Sequence, residues 1–462
     1  MRLLWELLIR VQNWRYDFFM DFKEFSELVR EKGIAGAGGA GFPSYAKLDK
    51  KTETVILNCA ECEPLFKMHR QLLTKYTYEI LSMLNTITGI VEAKEFIIAV
   101  KEEYKQTVDA VKAVIGDYKL GKLCLLSEVY PAGDEVVLIY DVTKKRVPPG
   151  NIPLSVGVCV FNVETVLNMY YAVNNMTPVI RKYVTVAGEV KTPGTFLVPL
   201  GTSLAELIEL AGGKTIDNTA ILKGGPMTGF LSSEQDVVAK NTNGVLVFEE
   251  NHPVIMKRKS KTSISLARAK SSCCQCRMCT DLCPRHLLGM PIDPSAFMDA
   301  VSNGAVANTK VIRDAMYCVS CGLCELYSCG QDLSPRSLID EFKQKMRAEG
   351  VKIKVFDKCE EDVMPAREYR KVPMRRLKER LDLVKYDVPA EISDTEYKPK
   401  RVRIELSQSI GAPSIPVVRA GDIVKSGEII AEAGKGLSIP LHASIDGKVL
   451  DVTEKFIIID KK

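Results

Sequence analysis

The stretch Cys273-Cys274-Gln275-Cys276-Arg277-Met278-Cys279-Thr280-Asp281-Leu282-Cys283-Pro284, answered downstream by Cys318-Val319-Ser320-Cys321-Gly322-Leu323-Cys324 and then Cys329, decides how this chain is read. Each half is a CxxCxxC run with a fourth cysteine displaced beyond it. Two-residue gaps let a short loop wrap the edge of an iron–sulfur cube, and the displaced thiolate of each run ligates the other cube. The pattern assigns one [4Fe–4S] cluster to Cys273, Cys276, Cys279 and Cys329, and a second to Cys318, Cys321, Cys324 and Cys283. Cys274 breaks the register, because using it leaves gaps of one and four residues, and it is read as a neighbour. Zinc also takes four thiolates, but zinc ribbons pair two CxxC knuckles instead of triple runs that end before proline. Gly330 stands where a proline often follows, and the longer gap before Cys329 lengthens that loop by one residue.

The rest of the composition fits a metalloprotein of several domains. At 462 residues the length suggests about three domains. A 46% hydrophobic content supports several cores and excludes a wholly disordered chain. Fourteen cysteines are too many to be incidental, in a chain far longer than small disulfide-stapled secreted domains. The balance of 63 basic against 58 acidic residues, net +5, does not call for nucleic acid or an anionic membrane. No apolar run is long enough for a transmembrane helix. Residues 1–20 read as an amphipathic extension broken by Glu6, Arg10, Arg15 and Asp17, unlike a signal peptide. A cytoplasmic protein is expected.

Upstream, residues 21–182 alternate helical patterns (FKEFSELVREKG, YTYEILSMLNTITGI) with β-branched runs (TVILN, EFIIAV, EVVLIY), the mark of an α/β unit. Residues 183–255 read as a β-grasp-like module with one helix starting after Thr202 or Ser203. The Cys-rich, helix-compatible part spans 256–350, a polar connector 351–400, and a strand-rich tail with Gly-centred turns 401–462.

Within the α/β unit, Gly33-Ile-Ala-Gly36-Ala-Gly38-Gly39-Ala-Gly41-Phe42-Pro43 leads to Lys47. Dense glycine lets backbone approach a ligand and turn N–H groups toward a phosphate. It is not the Rossmann fingerprint, because the order is helix then loop. Asn58-Cys-Ala-Glu61-Cys62-Glu63 follows an apolar run; Tyr130-Pro-Ala-Gly133-Asp134-Glu135 and Asn162-Val-Glu-Thr165 repeat the mix of amide, acid and hydroxyl. The acids suit a ring edge or ribose hydroxyls, and equally the first turn of a helix.

These four segments in this order resemble the NADH-binding flavoprotein subunit of complex I, and NCAECEP more closely resembles the RnfC-like branch. The cluster domain followed by a biotinyl/lipoyl-like tail, with GLCELYSC and VPMRRLKERLDLVKYD, is similar to PduS-type cobalamin reductases. The resemblance implies a multidomain α/β fold. Its parts are a complex I-like FMN/NADH domain, an SLBB β-grasp-like module, a helical ferredoxin-type two-cluster domain and a barrel-sandwich. It implies FMN phosphate cradled by Gly36, Gly38 and Gly39, with Lys47, Asn58, Glu61, Cys62, Tyr130, Gly133, Asp134, Asn162 and Thr165 around the flavin. Phe42 would stack in the nicotinamide site beside Glu63 and Glu135 as catalytic acids, with Arg146 a further basic candidate. Ala37 and Phe161 depart from the family pattern, where Arg and a second Asn are common.

The parts make one chemistry. NADH yields two electrons as a hydride, a cluster accepts one, and a flavin bridges the two. The expected function is an NADH-oxidising iron–sulfur flavoprotein that feeds a partner, with a corrinoid as the first choice of acceptor. The alternatives are an RnfC-like input subunit of a larger redox complex, such as the methylenetetrahydrofolate reductase type, and a flavin-free scaffold. The tail lacks a Met-Lys-Met turn at Leu441–Gly447, so docking is expected of it in place of a carrier lysine.

Overall fold

The computed structural model describes residues 20–304 and 308–461. The expected N-terminal amphipathic helix lies outside the described residues. Four parallel strands, β1 (Thr54–Cys59), β2 (Glu95–Lys101), β3 (Gly121–Leu126) and β4 (Val158–Asn162), lie in the order β3-β2-β1-β4. Near-continuous apolar runs form β1 and β2, as expected where helices cover both faces. Helices α1 (Thr77–Ile90), α2 (Lys105–Ile115) and α3 (Val163–Asn175) share one core with β1 and β2. The helix Glu135–Thr143 packs in a second core with Ile56 of β1 and Ala99 of β2. After β3 the chain crosses to the far side of β1, so the strand order reverses between β1 and β4. The crevice outside the carboxyl ends at such a reversal is where open parallel sheets bind ligands.

One expected strand is a helix. The run EVVLIY forms Glu135–Thr143, because Asp134 caps it by accepting from the Val136 and Val137 N–H groups. A cap that satisfies orphan amides outweighs the weak β preference of two valines and an isoleucine.

Helix α3 leads into a five-stranded sheet built from Arg181–Gly188, Gly194–Pro199, Thr219–Lys223, Phe230–Ser232 and Gly244–Glu249. The first and last of these pair in parallel at its centre, a β-grasp arrangement. Its helix, Leu204–Leu210, starts at a Ser203/Glu206 capping box. Buried Lys182 on this sheet pairs with buried Glu164 at the start of α3, joining the two units.

Helices Thr262–Ser272, Pro294–Ser302 and Pro335–Ala348 then pack around Phe297, Leu338 and Ile339. The polar connector is more ordered than its composition suggests. Val372–Pro373 pairs with Val129–Tyr130, and the helix Met374–Arg380 buries Met374 and Leu377 against the β-grasp core. The tail forms two small sheets around its own core of Val402, Ile404, Ile430 and Ile459. Its Leu441–Gly447 turn faces inward, with Ser444 Oγ donating to Leu200 O at 2.6 Å. Among the described residues, no helix is long and apolar enough to cross a membrane.

Candidate redox centres

A cavity of about 530 Å³ opens at the carboxyl ends of β1 and β4, within the size range of small-molecule sites. Gly36, Gly38, Gly39, Phe42 and Lys47 form one wall, and Asn58, Glu61, Cys62 and Glu63 another. Gly133, Glu135, Asn162 and Thr165 also line it.

Each wall is held by its own bonds. Thr165 Oγ1 accepts from Ala37 N–H at 2.9 Å, fixing the glycine loop on the helix that starts after Asn162. Gly39 takes φ +66, a left-handed conformation that favours glycine. Asn58 Nδ2 donates to Gly133 O at 3.0 Å, while Cys62 Sγ accepts from Gly133 N–H and donates to Ala60 O. A side chain on Gly133 would meet Cys62 Sγ and Ala60 O at 3.1 Å, a tight approach that favours glycine. Burial pushes the Cys62 thiol up to about 11, which keeps it protonated. Lys47 Nζ donates to Glu135 at 2.9 Å and to Val160 O at 3.1 Å.

The cavity also presents unmatched polarity. Glu61 is buried, one oxygen accepting from His69 N–H at 3.1 Å and the other, Oε2, without a partner. Burial raises its carboxyl above the ordinary range. The same burial holds His69 neutral, down to about 3. A glycine cradle, an unmatched carboxyl oxygen and 530 Å³ of space fit a flavin mononucleotide.

Two expected flavin residues stand elsewhere. Tyr130 does not line the cavity; its hydroxyl donates to Cys321 O at 2.5 Å. Asp134 caps its helix and accepts two bonds from Arg285, at 3.2 and 2.9 Å. Glu63 lines the cavity yet is fully engaged, accepting from Met227 N–H, Thr228 N–H and the Thr228 hydroxyl. Arg146 donates to Glu361 O, away from the cavity.

The cysteines surround two further voids. Cys273, Cys276, Cys279 and Cys329 line one, with Cys274 at its rim. Cys283, Cys318, Cys321 and Cys324 line the other. Four sulfur donors from two separate loops around each void fit a [4Fe–4S] cube.

The sequence pattern by itself assigns no role to Arg285 or to the turn Gly225–Thr228. Arg285 sits directly after Cys283-Pro284, a position that invites attention. The turn has no signal, since its role depends on three segments meeting. Glu63 holds it from the flavin side, while Arg258 and Arg336 donate to Met227 O from the cluster side.

Family models match the chain in four consecutive parts. They are a Nuo51 FMN-binding domain over 29–171, an SLBB domain over 183–231, a 4Fe-4S dicluster domain over 272–334 and an RnfC barrel sandwich hybrid domain over 388–462. Cobalamin reductase PduS of Citrobacter freundii is 38% identical over 445 residues, covering 95% of this chain and 97% of that one. The chain belongs to the PduS cobalamin reductase family. PduS of Salmonella typhimurium is likewise 38% identical, over 441 residues, covering 94% of this chain and 96% of that one. A component of the proton-translocating ferredoxin:NAD(+) oxidoreductase complex of Clostridium ljungdahlii is 31% identical over 282 residues, 60% of this chain and 58% of that one. As a PduS-family member the chain is an NADH-linked oxidoreductase carrying FMN and two [4Fe–4S] clusters.

Proposed function

We propose that this protein oxidises NADH and passes the electrons, through its inner and then its outer cluster, to a corrinoid held by a partner protein. The observation that carries the acceptor is the near-full-length match to two cobalamin reductases, against 58% of the ferredoxin:NAD(+) oxidoreductase component. FMN held in the cavity would supply the exchange between a two-electron hydride donor and one-electron clusters.

The protein's own residues supply position. The glycine loop, tied down by Thr165, offers backbone N–H groups to a phosphate. Lys47 and Glu135 form a neutralised pair in the cavity wall, where Phe42 offers a ring face to the nicotinamide. Glu63 shapes the opposite wall and holds the Gly225–Thr228 turn of the β-grasp module, which Arg258 and Arg336 grip from the cluster side.

The route is supported by packing. The second set of cysteines is inner: Cys62, on the flavin wall, packs in the same core as Cys283 and Cys318, and Tyr130 bridges to Cys321. The first set is outer, with Cys276 exposed. Leu65, Tyr130, Leu323 and Leu326 pack in one core against both Cys62 and Cys321, so the flavin wall and the inner cluster loop share apolar packing.

Anaerobically purified protein given NADH and hydroxocobalamin should bleach the flavin and then reduce the corrinoid. Flavin bleaching without corrinoid reduction, alone or with a corrinoid adenosyltransferase added, would transfer the role to an RnfC-like input subunit, which the Clostridium ljungdahlii match favours. Full iron without FMN would leave only a scaffold.

A further inference from the structure

The flavin cavity is not closed by the flavin domain alone. Asn243, immediately before the last β-grasp strand, lines it, as does Ile410 of the tail. The Asn243 Oδ1 atom is buried with no donor in reach. Gly38 lies between this amide and that of Asn162: a side chain there would meet the two Nδ2 atoms at 3.2 and 3.4 Å.

The loop that carries Asn243 is rigidly placed. Its carbonyl accepts from Thr185 N–H at 3.0 Å, and Thr242 Oγ1 accepts from Ala239 N–H at 3.0 Å. The adjacent Gly244 has no room for a side chain, which would overlap Phe66. The same loop grips the glycine loop at both ends, Lys240 Nζ donating to Gly33 O at 2.6 Å and Asn241 Nδ2 to Gly39 O at 3.2 Å. The tail braces both, with Gln408 accepting from Lys240 N–H and Ile410 N–H donating to Gly41 O at 3.3 Å.

We propose that Asn243 is a flavin-binding residue supplied by the β-grasp module, its side-chain amide hydrogen-bonding the flavin. The Asn243 amide is preplaced on the cavity wall beside Gly38, and its buried oxygen gains no partner from the protein, so a ligand that enters the cavity is the group left to bond this side chain. The flavin site is thus shared between modules, and β-grasp docking and flavin retention are coupled. The proposal rests on the flavin reading of the cavity.

The test is FMN titration of flavin-depleted, full-length protein, followed by quenching of flavin fluorescence. Asn243→Leu keeps the volume and removes the polar atoms; Asn243→Ala removes both. Iron content and dithionite bleaching of the clusters report folding independently of flavin. Each folded variant should bind FMN about tenfold more weakly than wild type with iron unchanged, the loss of roughly one hydrogen bond. Binding within twofold of wild type in a variant with full iron overturns the proposal. Failure of the wild-type protein to bind FMN overturns the flavin reading instead. If Asn243→Leu loses iron, Asn243→Ala decides.

Discussion

His69 is the residue through which acid should first loosen the flavin site. Its ring is buried beside Asn162, within 3.1 Å of the amide, and burial holds it neutral to about 3. In the unfolded chain it protonates near 6.5. Between those values the unfolded state binds the extra proton, so stability falls as pH falls through that window. At pH 5.5 the loss from this one group is about 1.4 kcal/mol. Replacing His69 by Gln should flatten the fall in the urea midpoint between pH 7 and 5.5, and an unchanged slope would remove His69 from the account. Glu63 gives a second test. Glu63→Gln sets an amide donor against donors that now share a carboxylate, and should cost about 1.5–3 kcal/mol in chemical denaturation. At this scale the sequence is informative where chemistry demands a residue type, as with the cysteines, Gly133 and the glycine loop. It is silent where a role depends on what arrives from elsewhere: nothing in the Glu63 neighbourhood announces Met227 and Thr228.

The helix Glu135–Thr143 shows how one residue sets an element and ties it to another. Asp134 Oδ1 caps it and Oδ2 accepts from Arg285, with side-chain exposures of 9% for Asp134 and 14% for Arg285. The two duties separate by mutation. Asp134→Asn keeps the capping oxygen and loses the charge, and should destabilise by about 3 kcal/mol, the low end for breaking a buried pair because Arg285 keeps some solvent. Asp134→Ala also loses the cap and should cost about 1 kcal/mol more. Equal denaturation midpoints for the two variants would show that the cap contributes nothing. By composition EVVLIY reads as a strand, whereas its start is decided by Asp134. Conversely β3 (Gly121–Leu126) is half exposed, carries Lys122 and Cys124, and has no clean alternation to find. Strands β1 and β2 and the helices α1 and Leu204–Leu210 are legible because local pattern and final packing agree there.

Across the whole molecule, motifs tell which thiols belong together but not which cluster faces the flavin, because that order depends on packing between modules. Three contacts set it: Tyr130 to Cys321, Arg285 to Asp134, and the Gly225–Thr228 turn held between Glu63 on one side and Arg258 and Arg336 on the other. All three connect the flavin domain to the ligand loops of the inner cluster or their neighbours. Cys276 at the outer cluster is exposed, as is the adjacent Arg277, so in the proposed route electrons leave from that end. The order predicts an asymmetry between two otherwise equivalent substitutions. Cys276→Ser should remove or alter the outer cluster while NADH still reduces the inner one, seen as a single cluster signal by electron paramagnetic resonance. Cys321→Ser should leave the outer cluster reducible by dithionite but cut off from NADH, since the intervening acceptor is gone. Both variants should retain NADH bleaching of the flavin, and both should lose corrinoid reduction. If NADH instead reduces the outer cluster in Cys321→Ser as fast as in the wild type, the outer cluster has its own path to the flavin and the serial order fails.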